Sequence, residues 1–315
     1  MDKLNSDSGS RTAPASILVL GCEGMLGHKM FQTLAACFPG TRGTIFGALS
    51  ERFYGSIPLF APDRIIERVN VMDFTALRET LVKARPDYII NCIGIVKQRE
   101  EASAAIPSIT INSLLPHLLA AWAAAWSGRL IHFSTDCVFS GKKGGYSEAD
   151  PSDAEDLYGK SKFLGEVIGA ANALTLRTSI IGRELAHFQS LLEWFLAQGG
   201  KQVKGFRRVI YAGVTTNYIS ELVMKLIMKH PGLSGLFQVT APAISKHDLL
   251  CRLRTAYDLD VEIIPDDREV SDRSMTGERF LRATGFSEPT WDDLIGQLAA
   301  DATPYEMWLK EKRDV

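Results

Sequence analysis

The chain has 315 residues, of which 46% are hydrophobic, so it can bury the core of one large α/β domain or of a domain with a smaller lobe. Its 35 basic and 37 acidic residues nearly balance, which excludes a bulk charge that would gather nucleic acid or an anionic membrane. The five cysteines and six histidines lack metal-ligand or disulfide-scaffold spacing, and no apolar run reaches the roughly 20 residues of a membrane span, so we expect a cytoplasmic protein without a metal site.

Short β-branched runs alternate with helical patterns from Ser16 onward. In chain order, the predicted strands are I-L-V-L, T-I-F-G-A-L, V-N-V-M, Y-I-I-N-C-I, R-L-I-H-F-S-T, L-T-L-R-T-S-I-I and G-L-F-Q-V-T. The predicted helices between them cover residues 25–38, 75–83, 109–126, 157–171, 187–198 and 217–229. Such alternation is typical of βαβ units, and helices on both faces of parallel strands make a doubly wound α/β sheet of the Rossmann type.

The alternation becomes less regular after residue 183, and this change divides the chain. We expect residues 16–183 to form the Rossmann-type domain, completed by about residues 213–241. Residues 184–212 and 242–315 are expected to form a small C-terminal substrate-binding lobe over the strand ends, where open α/β sheets bind their ligands. Residues 1–15 are polar and serine-rich, which is typical of a disordered tail.

Three glycines at three-residue intervals follow the first strand and open the first helix, in V-L-G-C-E-G-M-L-G. Gly21 permits a tight turn, Gly24 lets backbone N–H groups approach a pyrophosphate, and Gly27 lets the helix pack close to the strand. The helix N-terminus, with Met25 and Leu26, favours the anion through its dipole. Because the motif lies between a strand and a helix, it predicts a dinucleotide-binding site, although a structural turn uses the same residues.

Residues after the next strands are candidates for the rest of that dinucleotide. Glu51 would bind the ribose 2′-hydroxyl of NAD, whereas Ser50 and Arg52 would bind the 2′-phosphate of NADP, and the balance slightly favours NADP(H) over NAD(H). Asp73, directly after V-N-V-M, either accepts a hydrogen bond from the adenine amine or caps the next helix. The end of the fourth strand is also expected beside the dinucleotide, through Asn91, Cys92, Ile93 and Gly94.

Tyr158 and Lys162 lie four residues apart in Y-G-K-S-K, on one face of a predicted helix. A carbonyl under reduction needs a proton on its oxygen, and a nearby ammonium lowers the pKa of the phenol that supplies it and holds a ribose hydroxyl of the cofactor. The strand R-L-I-H-F ends in Ser134, Thr135 and Asp136, where α/β active sites collect. The Thr135 hydroxyl can orient the substrate oxygen, and Ser134 is expected beside the cofactor. The alternatives are a chance Tyr–Lys pair on an amphipathic helix and an S-T-D turn cap.

The glycine motif, N-C-I-G, S-T-D-C-V-F-S-G, E-A-D-P, Y-G-K-S-K and L-R-T-S occur in the order found in extended short-chain dehydrogenase/reductases. Between about residues 16 and 181 the chain resembles dTDP-4-dehydrorhamnose reductases in particular. The resemblance implies a dinucleotide-binding domain with a small sugar-nucleotide lobe, and catalytic roles for Thr135, Tyr158 and Lys162. It also implies NAD(P)H-dependent reduction of the keto group of a UDP- or dTDP-linked 4-keto-6-deoxy sugar used for surface polysaccharides.

Two departures from that family bear on the substrate. Cys137 stands where those reductases usually have tyrosine, and I-V-K-Q-R-E-E follows N-C-I-G in place of the common acidic pattern. Together with Thr135 and Asp136, Cys137 is expected to contact the sugar nucleotide. Candidate cations for its diphosphate, each of which can equally be a solvated surface residue, are Arg177, Arg207, Arg208 and Arg273.

Two other functions use the same fold. A sugar-nucleotide epimerase shares the Thr–Tyr–Lys constellation, whereas a 4,6-dehydratase is disfavoured because Cys137 stands where those enzymes place an acid. The regulatory β subunit of methionine adenosyltransferase resembles dTDP-4-dehydrorhamnose reductase and acts as a binding partner, so a non-catalytic role stays open. The sequence also leaves a homodimer open.

Overall fold

The computed structural model describes residues 15–96, 104–186 and 188–308. Of the predicted tail over residues 1–15, only Ala15 falls within these ranges, and it packs against the edge of the core. The unusual segment after N-C-I-G lies outside the described residues from position 97 onward.

The strands, in chain order, are β1 (Ile17–Leu20), β2 (Thr41–Thr44), β3 (Ile65–Ile66), β4 (Tyr88–Asn91), β5 (Arg129–Ser134), β6 (Ala173–Arg177), β7 (Ile180–Ile181), β8 (Lys201–Phe206), β9 (Val209–Tyr211), β10 (Val214–Thr215), β11 (Gly235–Gln238), β12 (Ile244–Ser245), β13 (Val261–Asp266) and β14 (Ser271–Asp272). Seven of them form one parallel sheet in the order β3-β2-β1-β4-β5-β6-β11. The order reverses between β1 and β4, which confirms the predicted doubly wound Rossmann-type sheet.

The helices are α1 (Met25–Cys37), α2 (Arg52–Gly55), α3 (Phe74–Ala84), α4 (Ala105–Ser108), α5 (Leu115–Ala124), α6 (Leu157–Leu164), α7 (Leu191–Leu196), α8 (Thr216–Lys229), α9 (Lys246–Ala256), α10 (Glu278–Thr284) and α11 (Trp291–Ala299). A π-helical segment, Ile109–Leu114, joins α4 to α5, and a short 3₁₀ turn, Asp136–Val138, follows β5. Within the described ranges, no helix is both long and apolar enough to cross a membrane.

Helices cover both faces of the sheet, so the side chains of its central strand β1 are buried on both faces. Ile17 and Val19 of β1 face a core built with α1 and α8, whereas Leu18 and Leu20 face a second core built with α3 and α5. This division follows from the alternation of side chains along a strand. The carboxyl edge of the sheet is left open between these two layers, and the candidate site residues lie along it.

Several predicted elements differ in place or length. The second strand is Thr41–Thr44 and ends where T-I-F-G-A-L was predicted to begin, and α7 covers only Leu191–Leu196 of the predicted 187–198. The third strand is Ile65–Ile66 and not V-N-V-M, because Asn70 accepts a hydrogen bond from Met72 N (3.0 Å) and turns the chain there. Helix α6 ends at Leu164 and not near residue 171. At the next residue, Gly165, the backbone passes so close to the π-helical segment that a Cβ would lie 1.9 Å from the Asn112 carbonyl oxygen. The run L-T-L-R-T-S-I-I divides into β6 and β7, and β7 pairs with β10 outside the main sheet.

The smaller lobe consists of the paired strands β8 and β13, the sheet β12-β9-β14, and α9 packed on β8 and β13. Helix α8 packs on α1, and β11 pairs with β6 in the main sheet. The last described residues also return to α1. Asp301 forms an ion pair with Lys29 (2.6 Å), and the Tyr305 hydroxyl shares a hydrogen bond with His28 Nε2 (2.8 Å). The end of the predicted lobe therefore supports the first helix of the domain.

Candidate active site

The glycine motif forms a tight loop between β1 and α1. Gly21 has φ +79°, a conformation that side chains disfavour, and a Cβ at Gly27 would lie 1.9 Å from the Gly21 carbonyl oxygen. The protein itself therefore requires both glycines. Gly24 differs, because its φ of −78° suits any residue and a Cβ there would meet only the Gly21 carbonyl oxygen, at an ordinary 3.5 Å. The fold itself therefore does not require a glycine at position 24.

The loop also presents the N-terminus of α1. Gly24 is the N-cap residue and brings no side chain to the first-turn N–H groups of Met25 and Leu26. A pyrophosphate fits such a site through these groups and the helix dipole. Ile93, from the loop after β4, packs closely on Gly21: a Cβ at Gly21 would lie 2.7 Å from Cγ1 of Ile93. The two loops that flank the sheet's reversal point are thus in contact.

Buried polar residues shape the loop after β4. Asn91 accepts a hydrogen bond from Ile93 N (3.1 Å) and contacts His132 Nδ1 through its amide nitrogen (3.1 Å). Cys92 N donates to the β1 carbonyl of Leu20 (3.2 Å). A Cβ at Gly94 would lie 3.4 Å from Asn112 Oδ1 and 3.9 Å from Lys162 Nζ. The side chain of Asn91 therefore holds the loop, and contact with a dinucleotide would come from the backbone beyond it.

Sequence reasoning missed Asn112, which lies in the π-helical segment. Its amide accepts a hydrogen bond from Ile95 N (2.9 Å) and donates to Ile95 O (3.1 Å) and to Ser161 Oγ (3.2 Å). It thereby ties the loop after β4 to helix α6. A buried amide inside an otherwise apolar helical pattern was the available signal, and π-helical bulges often mark functional sites.

The residues expected at the adenosine end have varied surroundings. Ser50 is exposed, and the carboxylate of Glu51 accepts a hydrogen bond from Ala48 N (2.9 Å). Arg52 begins α2, but its side chain lies outside the described part of the structure. Asp73 is the N-cap of α3 and accepts a hydrogen bond from Ala76 N (3.0 Å), so its capping role is observed while contact with adenine stays a prediction.

The end of β5 and the start of α6 bring the expected catalytic side chains together. Thr135 caps the 3₁₀ turn, since its hydroxyl accepts a hydrogen bond from Cys137 N (3.1 Å) and donates to Asp136 Oδ1 (3.0 Å). It also shares a hydrogen bond with Tyr158. Burial raises the pKa of the Asp136 carboxyl, against the hydrogen bond from Thr135. The structure thus places a hydroxyl, a phenol and a buried carboxyl at one point of the carboxyl edge.

The ionisation of Tyr158 differs from the expectation. Burial, followed by the nearby Cys137, raises the pKa of the phenol, against the hydrogen bond shared with Thr135. Lys162 instead donates to the carbonyl oxygen of Phe133 (2.6 Å) and lies 3.9 Å from the Cβ position of Gly94. Burial lowers the pKa of Lys162 to about 8, partly offset by Glu166. The expected lowering of the phenol pKa by Lys162 is therefore not what the structure shows.

Ser134 and Arg177 take part in a buried ionic network. Glu166 binds the Arg177 guanidinium at two atoms (2.7 and 2.8 Å) and accepts a hydrogen bond from Ser134 Oγ (2.7 Å). The side chains of Arg177 and Glu166 are only 2% and 4% exposed. The expectation that Arg177 binds a diphosphate is corrected, since its charge is buried and paired with Glu166. The Ser134 hydroxyl, expected beside the cofactor, donates to Glu166.

The remaining arginines lie in the lobe. Arg207 is exposed and pairs with Asp267, and Arg208 is exposed in the same turn between β8 and β9. Arg273 donates to the Phe139 carbonyl oxygen (2.9 Å), and its charge favours the ionised form of Asp136. Of the three, Arg273 is therefore the one that the structure brings beside the candidate active site.

The buried network also supports a stability prediction. Replacing Glu166 with glutamine leaves the Arg177 charge uncompensated in the core, so we expect a loss of about 3 to 5 kcal/mol in the free energy of unfolding. Urea titration followed by circular dichroism measures it. The double variant Glu166→Leu with Arg177→Met removes both charges and should recover most of the loss. Equal destabilisation of the single and double variants would show that the charges are not the cause.

Comparison with known proteins agrees with this architecture. The model of the RmlD substrate binding domain matches residues 15–258. The chain is 27% identical over 171 residues to the spore coat polysaccharide biosynthesis protein SpsK of Bacillus subtilis (strain 168), covering 52% of this chain and 60% of that protein. It is 28% identical over 167 residues to a dTDP-4-dehydrorhamnose reductase of Burkholderia thailandensis, covering 52% of this chain and 49% of the relative. The matches thus span between half and three fifths of these relatives.

Solved structures share the fold over nearly the whole chain. A dTDP-4-dehydrorhamnose reductase from Bacillus anthracis str. Ames, in complex with NADP, superposes with a TM-score of 0.72 at 17% identity, covering 90% of this chain and 98% of that one. The family model covers most of the residues that carry the glycine loop, the Thr–Tyr–Lys cluster and the first part of the lobe. The chain therefore belongs to the RmlD substrate binding domain family.

Proposed function

We propose that this chain reduces the keto group of a nucleotide-linked 4-keto-6-deoxy sugar with a nicotinamide dinucleotide as hydride donor. The observation that carries the proposal is the meeting of Thr135, Tyr158 and Lys162 at the carboxyl edge, next to a glycine loop whose Gly24 the fold itself does not require. In open α/β sheets, ligands bind at this edge and at this reversal of strand order. The names of the relatives, a dTDP-4-dehydrorhamnose reductase and a polysaccharide biosynthesis protein, support the substrate class.

Each catalytic side chain has a defined task in this proposal. A bound nicotinamide dinucleotide supplies the hydride. The raised pKa of Tyr158 keeps its phenol protonated, so it can donate a proton to the substrate oxygen as negative charge develops there. Thr135, fixed by its bonds to the 3₁₀ turn, orients the same oxygen. Lys162, which donates to the Phe133 carbonyl oxygen at the strand end, would hold the cofactor ribose.

The sugar nucleotide would lie between the carboxyl edge and the lobe. Arg273 is the cation that reaches the site, and Arg207 and Arg208 lie farther out on the β8–β9 turn for a diphosphate. Asp136 and Cys137 line the turn below the sugar. Tyr211 of β9 is a further candidate that sequence reasoning missed, since its phenol is buried within electrostatic reach of Asp136 and Cys137.

A substrate panel tests the proposed function. UDP- and dTDP-linked 4-keto-6-deoxy sugars are incubated with NADPH and with NADH, and absorbance loss is followed together with product stereochemistry. Net consumption of reduced cofactor supports a reductase. Interconversion of sugars without net consumption would establish an epimerase, and tight cofactor binding with no turnover of any sugar would favour the non-catalytic role.

We also propose that two copies of the chain pair through an apolar surface on α4, α6 and the segments that continue them. Helix α4 packs beside α6, and large apolar side chains on both are exposed, namely Ile106, Ile109, Phe163, Leu164 and Ile168. A continuous exposed apolar patch on adjacent helices is typical of an interaction surface. A second copy would bury it by presenting the same patch, as a twofold interface requires.

Charges placed in this surface should separate the copies. We expect Ile106→Asp with Ile168→Asp to convert a dimer to a monomer in sedimentation equilibrium, because each pair would bury uncompensated carboxylates. Val270→Asp, at a position 61% exposed on the lobe, is the matched control and should leave the mass unchanged. A monomeric wild-type chain at micromolar concentration would contradict the proposed pairing.

A further inference from the structure

A carboxylate occupies the gap between the glycine loop and the end of β2. Glu23 lies inside the glycine loop, one residue before Gly24, and its side chain reaches across to accept a hydrogen bond from Phe46 N (3.0 Å). The Tyr54 hydroxyl, from α2, forms a second hydrogen bond with the same carboxylate. Glu23 is therefore held in place from both sides and is only half-buried, so one edge of it remains accessible.

Two more carboxylates bind the backbone of the loop after β2. Glu51 accepts a hydrogen bond from Ala48 N (2.9 Å), and Glu67 accepts one from Leu49 N (2.8 Å). Together with Phe46 N, three backbone N–H groups of this loop thus already donate to carboxylates. Such N–H groups are the ones that a loop would otherwise offer to a phosphate. The carboxylates of Glu23, Glu51 and Glu67 thus lie against this loop, and its Gly47 carbonyl oxygen accepts a hydrogen bond from Arg68 N (2.9 Å).

In a Rossmann-type domain, the adenosine ribose lies between the glycine loop and the end of the second strand, and an acid there accepts a hydrogen bond from its 2′-hydroxyl. That acid usually comes from the end of the second strand. Here the glycine loop supplies it, and its contact with Phe46 N brings the carboxylate to the same gap. A 2′-phosphate in this gap would face the charge of Glu23 at short range, where like charges repel.

We propose that Glu23 makes this chain selective for NAD(H) over NADP(H) by binding the ribose 2′-hydroxyl and repelling a 2′-phosphate. The inference rests on the proposed dinucleotide site. It reverses the slight preference for NADP(H) that the sequence reading drew from Ser50 and Arg52. The residues expected to decide the preference follow the second strand, whereas Glu23 lies between Gly21 and Gly24.

Binding measurements on the full chain test the inference without any sugar. Dissociation constants for NADH and NADPH are measured by calorimetry for the wild type, Glu23→Gln, Glu67→Gln and Arg52→Ala. Glutamine keeps an oxygen for Phe46 N and removes only the charge, so the fold should survive, and thermal unfolding checks this. Glu67→Gln is the matched control, because its carboxylate also binds a backbone N–H of the loop after β2 but belongs to the segment after β3 and not to the glycine motif.

We expect the wild type to bind NADH at least about tenfold more tightly than NADPH. Glu23→Gln should reduce that ratio by about tenfold or more, chiefly through tighter NADPH binding, while Glu67→Gln changes it by less than about threefold. Equal or tighter binding of NADPH by the wild type, or an unchanged ratio in Glu23→Gln, would overturn the inference. So would a selective loss of NADPH binding in Arg52→Ala with no effect of Glu23→Gln.

The same data separate this inference from the proposed function. If the ratio shifts as expected but no keto sugar is reduced, the role of Glu23 stands and the proposed reaction fails. If sugars are reduced equally well with both cofactors and Glu23→Gln leaves the ratio of the two dissociation constants unchanged, the proposed reaction stands and the proposed selectivity fails. No binding of either dinucleotide would overturn both.

Discussion

Tyr158→Phe should lower turnover by about two to four orders of magnitude while leaving cofactor affinity nearly unchanged. The phenyl ring keeps the packing of α6, so only the proton donor is lost. Its hydroxyl shares a hydrogen bond with Thr135 at the carboxyl edge, and burial keeps it protonated at neutral pH. Steady-state assays with the sugar identified by the substrate panel measure the change in kcat.

Lys162→Met should lower turnover comparably but also weaken dinucleotide binding. The ammonium donates to the Phe133 carbonyl oxygen and lies near Gly94 of the loop after β4. Its loss should therefore disturb the end of β5 and remove a hydrogen bond to the cofactor ribose. Methionine fills a similar volume, and circular dichroism verifies the fold. Near-normal kcat in either variant would remove the Tyr–Lys pair from the mechanism.

Gly24→Val should abolish dinucleotide binding without destabilising the protein. The two effects can be separated because Gly24 has an ordinary φ of −78° and a Cβ there meets only the Gly21 carbonyl oxygen at 3.5 Å. The added side chain would occupy the space in which a pyrophosphate approaches the N-terminus of α1. Calorimetry with NADH and NADPH, together with a thermal unfolding curve, measures both quantities.

The matched control is Gly169→Val, since a Cβ at Gly169 has no described atom within 4 Å. That variant should keep both cofactor affinity and stability. Unchanged affinity in Gly24→Val would show that the glycine loop is only a turn. If Gly24→Val instead lowered the unfolding temperature as well as cofactor affinity, Gly24 would be required by the fold itself, as Gly21 and Gly27 are.

Local patterns were sufficient for much of the fold. The β1 run is apolar throughout and the β4 run is apolar up to Asn91, which is typical of strands covered on both faces, and the structure places both inside the parallel sheet. The glycine spacing likewise marks the turn into α1, because φ +79° at Gly21 and the close contact at Gly27 are local demands. The V-N-V-M run failed as a strand because turn formation by Asn70 outweighed β propensity.

The charged residues show where local pattern stops being informative. Arg177 and Glu166 are 11 residues apart in the chain, and they pair only because the segment after α6 folds against β6, where Val167 and Thr175 exchange hydrogen bonds. The sequence alone does not distinguish Arg207 from Arg273. In the structure, Arg207 pairs with Asp267 at the surface, whereas Arg273 donates to the Phe139 carbonyl oxygen beside the candidate site. Whether an arginine is free to bind a diphosphate depends on which carboxylate lies nearest to it, and contacts between distant segments of the chain decide that.

The sequence by itself determined the doubly wound class, the glycine loop and the candidate Thr135, Tyr158 and Lys162, because backbone conformation and helical spacing are properties of neighbouring residues. Tertiary structure alone decided which of these groups meet, how they ionise and what surrounds them. The pKa of Tyr158 rises because the folded chain removes water from its hydroxyl. Glu23 reaches Phe46 N only because β1 and β2 lie side by side. Desolvation and contacts between distant segments exist only in the folded protein, so no local pattern could have contained them.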